Sequence, residues 1–426
     1  MQVQLCVLAA LLASWARALA PAALAPEALA REALVTYRAN EAIPPDKVLA
    51  RVLRANSCTD AERRAAADSF LGTATRLRRY EWLCRDVRGD AEEFAAALLR
   101  ARHEDWTTTD WPSDPNERIS VESGVPLWLC ARWRRDLGDE AARAVAFAST
   151  SRGPVTLRVR DDVSIDAVEA SLAAAGVVTE RPPRHVGAPR ALTLTEGRPR
   201  GGVWALPGWD EAYFEVQDAG SQAIVEACGV GFDTALDMCA GNGGKAIPLA
   251  ARAREVWCHD IDTERLKRLR ARARRAGVSV QCTDGATLPD ATFELVLVDA
   301  PCSSSGVLRR LGRTMSFDVA DEEEENDLVA RRRRRDREVH ARADEALASF
   351  ADLQLSLLRD AAARSRDRLV YATCSTLREE NEDIVAAFDD AAFEPWPFES
   401  GAGHTRLLLP GPHHDGFFVA RWRRCS

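Results

Sequence analysis

No Cys-x-x-Cys pair occurs anywhere in this chain of 426 residues, although it holds eleven cysteines. Thiols paired at that spacing build structural zinc sites, and ordered even sets build disulfide frameworks. Scattered cysteines in odd number instead fit reduced thiols in a reducing compartment, and no metal is expected. An excess of positive charge is also missing. The formal net charge is -8, so any surface that tracks phosphates must be local. No apolar run is long and unbroken enough to span a bilayer, so no membrane partner is expected. Coiled-coil heptads are lacking as well, and a monomer is expected.

What is present suffices for two or three domains, with 46% hydrophobic residues to build their cores. The opening "MQVQLCVLAALLASWARALA" has the apolar stretch and small-residue end of a targeting segment over 1–23, but no basic residue precedes it. It reads equally as the first helix of an alanine-rich domain. Targeting, if real, points to an organelle rather than to secretion, so the expected compartment is intracellular, cytoplasm or organelle.

Residues 24–145 carry alanine, leucine and arginine at helical spacing. Pro44 and Pro45 can open a helix, Val48, Val52 and Leu53 line one face, and Thr59 with Glu62 makes a capping box. Arg63, Arg64, Arg76, Arg78 and Arg79 could form a basic face, although solvation is the default for helix-surface arginine. Over 150–225 the texture changes to a small α+β module. From 226 to 426 strands and helices alternate, the mark of an α/β domain with a mostly parallel sheet. Its strands read "TALDM", "EVWCHD", "VSVQCTD", "ELVLVDA" and "LVYATC", with "GFFVARW" as an antiparallel addition. A charged insertion, about 313–349, holds an acidic block and five arginines, Arg331 to Arg335. It is a solvated segment or an RNA-contacting arm.

Chemistry-bearing residues gather at the carboxyl ends of these strands, where open α/β sheets bind ligands. The first strand leads into Cys239, Ala240, Gly241, Asn242, Gly243, Gly244 and Lys245, a turn that lets the backbone approach a ligand. Its spacing matches neither GxGxxG nor GxxxxGK[ST], which disfavours nicotinamide cofactors and ATP. Asp260 ends the second strand, where a carboxylate can accept from ribose hydroxyls, and Asp284 ends the third. Either acid could instead serve a strand end, with Asp262 or Thr263 capping the next helix. Asp299 and Cys302 follow the fourth strand, and Cys374 follows the fifth. Thr376 and Glu379 read as a capping pair after it.

The stretches "LDMCAGNGGK", "VDAPCSSSGVLRR" and "LVYATCSTLREEN" resemble the cofactor loop, proline-cysteine motif and threonine-cysteine motif of the RsmB/NOP/Sun family of RNA 5-methylcytosine methyltransferases. "PPDKVLARVLRAN" and "DAERRAAADSF" resemble the NusB-like helical RNA-binding domain of its bacterial, RsmB-like branch. The resemblance implies a Rossmann-like class I methyltransferase domain preceded by the α+β module and an all-α NusB-like domain. It also implies S-adenosyl-L-methionine in the loop from Cys239 to Lys245, with Asp260 on ribose, Asp284 near adenine and Asp299 at the target base. Cys374 would be the nucleophile and Cys302 the thiol that helps release product. The implied partner is RNA, ribosomal above all, with an unpaired or flipped cytosine. Transfer RNA and a noncatalytic role in ribosome assembly are the alternatives. A DNA-type arrangement, with Cys302 as nucleophile, is disfavoured by the second thiol.

The chain departs from the family pattern at Asn242, where proline is common, and at Ala246, where threonine is common. It departs again at Leu311 and Gly312 after "GVLRR", and at "ARSRDR", which replaces a glycine turn before the last catalytic strand.

Overall fold

The computed structural model describes residues 25–39, 43, 45–87, 89–104, 109–197, 199, 201–283, 285, 287–288, 290–311, 328–399 and 403–425. The 1–23 segment, Asp284 and 312–327 lie outside them, as do the side chains of Arg331–Arg333 and Arg335, so the expectations placed there stay sequence readings. The chain divides into two compact units, Met1–Leu127 with Gly312–Val339, and Trp128–Leu311 with His340–Ser426.

The first unit is helical. Leu29, Leu34, Val48, Val52, Phe70 and Leu98 form its core, and the Thr59/Glu62 capping box closes the N-terminus of the Asp60–Ala74 helix. Two of its arginines correct the basic-face reading. Arg79 is buried and gives its guanidinium to the Glu122 carbonyl, and Arg78 binds Asp336 and the Ser120 hydroxyl. Both spend their donors inside the unit.

The second unit opens with helices Leu127–Leu137 and Asp139–Ser149 and continues into a small antiparallel sheet. That sheet comprises β1 (Val155–Val159), β2 (Thr179–Glu180), β3 (Ala191–Leu194) and β4 (Phe214–Val216), in the order β2-β3-β1-β4. The Ile165–Ala174 helix places Val168 and Leu172 on Leu157, Leu192 and Phe214.

The main sheet contains β5 (Thr234–Asp237), β6 (Glu255–Cys258), β7 (Gln281–Cys282), β8 (Phe293–Asp299), β9 (Ser365–Thr373), β10 (Phe393–Pro395), β11 (Thr405–Leu408) and β12 (Phe417–Arg424). Its order is β10-β12-β9-β8-β5-β6-β7, with β11 on β12. Strands β5 to β9 are mutually parallel, and β10, β11 and β12 are antiparallel additions. The chain starts at β5, moves out to β7 and returns through β8, so the crevice between β5 and β8 is the topological switch point. Leu295 and Leu297 point into one core and Val296 and Val298 into the other, and all four are fully buried. Such continuous apolar runs are what a sheet covered on both faces requires, and each side chain contributes about 1.5–3 kcal/mol by burial.

Three local expectations are corrected. Only Gln281 and Cys282 of "VSVQCTD" are strand, an edge position where one neighbour suffices. The bound of the charged insertion at about 349 is not a structural one: a single helix spans Leu328–Arg364 without a break there, and Ser365 begins β9 directly after it. Thr376 and Glu379 form no capping box. Thr376 is held by the Trp133 indole (2.9 Å) and by Ser305, and Glu379 binds Arg132 and Arg135. The chain makes a 3-10 turn at Arg378–Glu380, and the helix begins at Glu382.

Candidate active site

Cys374 is the first residue beyond β9, and Cys302 lies just beyond β8. These strands are parallel neighbours with Asp299 beside Ala372, so the two loops leave the sheet side by side. Their sulfur atoms stand 3.3 Å apart. The Gly306 amide donates to the Cys374 carbonyl (2.9 Å) and the Gly416 amide to the Gly306 carbonyl (2.8 Å), tying the loops to the turn before β12. Only glycine fits there: a Cβ on Gly306 would lie 2.3 Å from the Gly416 oxygen.

Beneath the thiols lies a buried polar knot. The Glu380 carboxylate accepts from the Ser303 amide (2.8 Å), from the Ser303 and Ser375 hydroxyls (each 2.5 Å), and from Gln354 Nε2 (3.1 Å). Gln354 also donates to the Pro301 carbonyl at 2.9 Å. Four donors replace the water that this buried carboxylate gives up. Sequence reading passed over Glu380 as part of a charged tail.

The two thiols are unlike. Hydrogen bonding from Cys302 holds the Cys374 thiol below its ordinary range against the opposing effect of burial, with Ser304 Oγ at 3.5 Å and the Lys245 charge assisting. The Cys302 thiol is pushed up by the same hydrogen bond, by burial and by the negative charges of Cys374 and Glu380. Of the two, Cys374 is therefore the readier to ionise and Cys302 the one that keeps its proton longer. Ser304 reaches its position in the left-handed region, φ 61°, which for a residue other than glycine costs roughly 1–3 kcal/mol. Strain kept beside a reactive sulfur suggests a use. In Ser304→Ala the acid limb of the rate profile should move to higher pH, since the thiolate loses a donor; a limb that stays in place would count against this role.

Next to the thiols, the loop after β5 turns back on itself. The Gly241 amide donates to Asp260 Oδ2 (2.9 Å), and Asp260 Oδ1 accepts from the Asp262 amide (2.8 Å). Gly243 has φ +84°, and a Cβ there would strike Leu269 at 2.7 Å. Asn242 is fixed by Arg268 (2.8 Å) and Arg272 (2.7 Å). Asp262 caps the Thr263–Arg275 helix. Lys245 points inward and its Nζ meets Asp299 Oδ2 at 2.5 Å. Burial works to lower the ammonium pKa, but the Asp299 charge and hydrogen bond outweigh it and raise it.

A cavity of about 550 Å³ takes in Cys239, Ala240, Gly241, Asn242, Gly244, Lys245, Asp260, Asp299, Cys302 and Cys374. Of the sequence candidates, Gly243 packs behind this wall, and Asp284 lies outside the described residues. Among the further residues that line the cavity and that the sequence reading missed are Asp237, Ile261 and Leu353.

The family profile described as 16S rRNA methyltransferase RsmB/F matches residues 230–327 and 328–423. A second profile, the ferredoxin-like domain of RsmF/B-like methyltransferases, matches 125–199. Ribosomal RNA small subunit methyltransferase B of Xanthomonas campestris is 32% identical over 72% of this chain and 68% of its own length. The chain belongs to the RsmB/F family. The same-named protein of Escherichia coli is 32% identical over 70% of this chain, which spans 65% of that relative's length. A methyltransferase homologue from Pyrococcus horikoshii shares the fold, with a TM-score of 0.58 at 24% identity over 74% of this chain and 100% of its own.

As an RsmB/F-family enzyme the protein is a methyltransferase that depends on S-adenosylmethionine, and its cavity fits that cofactor. Neither oxygen of Asp237 makes a hydrogen bond of ordinary geometry. Burial, then the Asp299 charge, pushes this carboxyl up to about 7, against the lowering effects of Lys245 and the Cys239 amide. An uncommitted buried carboxyl suits the ammonium end of the methionyl group. Asp260 retains acceptor capacity for ribose hydroxyls, and Ile261 is 87% exposed, an apolar wall that a purine would cover. When bound, the cofactor supplies an electrophilic methyl group.

Proposed function

We propose that this protein methylates carbon 5 of cytosine in ribosomal RNA through a covalent adduct at Cys374. One observation carries the reading: two thiols 3.3 Å apart and the glycine-rich loop after β5 open into the same cavity. Carbon 5 of cytosine is too electron-poor to take a methyl group unaided. Addition of Cys374 Sγ to carbon 6 pushes electron density onto the ring and makes carbon 5 nucleophilic. Asp299, steadied by Lys245, holds the polar edge of the base.

Once the methyl group is on, carbon 5 must lose its proton and carbon 6 its sulfur. Cys302 is suited to that step. Its thiol is held up first by the Cys374 hydrogen bond, and that cause vanishes when Cys374 is bonded to carbon 6. Cys302 can then ionise, passing its proton to solvent water, and take the proton from carbon 5; the C5–H electron pair re-forms the C5–C6 double bond and Cys374 leaves as thiolate. A base must be unpaired or flipped to reach both groups.

The helical residues 24–145 serve as a NusB-like RNA-binding domain, the 150–225 module links them in sequence to the methyltransferase domain at 226–426, and the protein acts as a monomer. A ribosomal substrate sets the compartment as one where ribosomes are made, cytoplasm or organelle. The test is methyl transfer from labelled S-adenosylmethionine to ribosomal and transfer RNA, read as 5-methylcytidine by nucleoside mass spectrometry. Label in ribosomal RNA is expected. Label confined to transfer RNA would overturn the substrate, and cofactor binding without label in either RNA would favour an assembly factor.

A further inference from the structure

A second cleft, of about 530 Å³, lies at the edge of the main sheet opposite the thiols. Arg368 stands near the start of β9, Arg421 and Arg423 pair with Val370 and Arg368, and Gly229 and Val230 precede β5. Its volume falls within the range of ligand pockets, roughly 300–1,000 Å³. Four arginines converge there, in a chain whose net charge is -8.

The arginines and aromatics form one stacked array. Arg421 lies 4.0 Å from the ring centres of both Trp396 and Phe398. Arg423 and Arg368 approach Trp396 at 4.8 and 5.3 Å, and Arg406 lies 4.3 Å from Phe398. Arg421 donates to the carbonyls of Trp396 (2.9 Å) and Ala227 (3.2 Å), and Arg368 to those of Val230 (2.7 Å) and Gly231 (3.4 Å). Backbone acceptors orient these guanidinium groups without cancelling their charge. Arg368 also meets Asp367 at 3.2 Å.

Arg406 has no hydrogen-bond acceptor among the described residues, and burial alone lowers its pKa. A side chain at Gly187 would put a Cβ 2.7 Å from its Nη1, so glycine keeps that place open for the guanidinium. Two acids line the cleft, Glu226 and Glu399, and Glu226 is already bound to Arg252 at 2.5 Å. Desolvated cations beside flat aromatic surface suit a ligand that offers an anion and a planar ring together, which a nucleotide of single-stranded RNA does.

We propose that this cleft is a second RNA contact, holding one phosphate at Arg406 and one unstacked base at Trp396, away from the cytosine that reacts. The inference rests on the reading of the substrate as RNA. It ties affinity to a surface that shares no residue with the catalytic cavity.

The test compares wild type, Arg406→Ala and Arg406→Lys in the full chain. Binding of a fluorescein-labelled single-stranded ribosomal RNA fragment is measured by anisotropy over a range of salt, alongside methyl-transfer kinetics. Arg406→Ala should weaken binding about tenfold, reduce the salt slope by about one, and raise KM for RNA at unchanged kcat and cofactor affinity. Arg406→Lys should keep the salt slope. The same losses in a variant whose wild-type parent shows no methylation would support the cleft while sinking the proposed reaction. Unchanged RNA affinity and slope, with melting temperature and cofactor binding intact, would overturn the proposal and leave the cleft to an acidic protein partner. If Arg406→Ala fails to fold, Trp396→Leu replaces it: weaker RNA binding and a raised KM at an unchanged salt slope are expected, and unchanged RNA affinity would overturn the proposal.

Discussion

Replacing Cys374 with alanine should lower kcat/KM on the order of 10⁴-fold, the scale of losing a nucleophile, and leave cofactor binding unchanged. No RNA should travel with the protein on a denaturing gel. Cys302→Ala should do the reverse: methyl transfer to the ring proceeds, but proton removal and release of the sulfur slow down, and a covalent protein–RNA species accumulates. The asymmetry follows from the shared proton: the hydrogen bond between two sulfurs 3.3 Å apart lowers Cys374 and raises Cys302, and burial and the charges of Cys374 and Glu380 add to the rise of Cys302. An adduct in Cys374→Ala and none in Cys302→Ala would transfer the role of nucleophile to Cys302.

Glu380 should matter nearly as much without touching substrate. Glu380→Ala leaves the Ser303 amide, two hydroxyls and Gln354 with unanswered donors in a dry interior. The expected cost is roughly 3–5 kcal/mol, or a fall in melting temperature of about 10 °C. The gentler Glu380→Gln keeps the shape but sets an amide NH₂ against donors, so the two cysteine loops should lose register. A misplacement of about 1 Å is worth about 10²-fold in rate, so kcat should drop by that order while cofactor affinity holds. Removing the negative charge should also let Cys302 ionise more readily, blurring the difference between the thiols in the pH profile. Wild-type kcat and an unshifted profile in a well-folded Glu380→Gln would mean that the carboxylate is only structural filling.

The features readable in the sequence were those with a local signature. Glycines 241, 243 and 244, and the two cysteines after apolar strands, declare themselves because strand, turn and ligand edge are consecutive in the chain. Hidden features depend on partners from elsewhere. Glu380 looks like any acid near a helix start until Ser303 and Gln354 arrive to bury it. Thr376 looked like a cap because nothing nearby in the sequence foretells the Trp133 indole. Asp237 sits inside an ordinary strand ending, and only the stacking of β5 against its parallel neighbours shows a carboxyl sealed from water. Arg78 and Arg79 misled for the same reason: helical spacing put them on a face without saying what covered it.

The contact of Gly306 with Gly416, and of both with the Cys374 loop, bears on when this protein becomes chemically dangerous. A newly made chain carries two ordinary cysteines, because the acidity of Cys374 depends on Cys302, Ser304 and Lys245 standing around it. Those neighbours meet only when β8, β9 and the turn before β12 have closed together. A strongly nucleophilic sulfur loose in an unfinished polypeptide would be alkylated by passing electrophiles or exchange into stray disulfides. Here the reactive group does not exist until the enclosure that restrains it has formed.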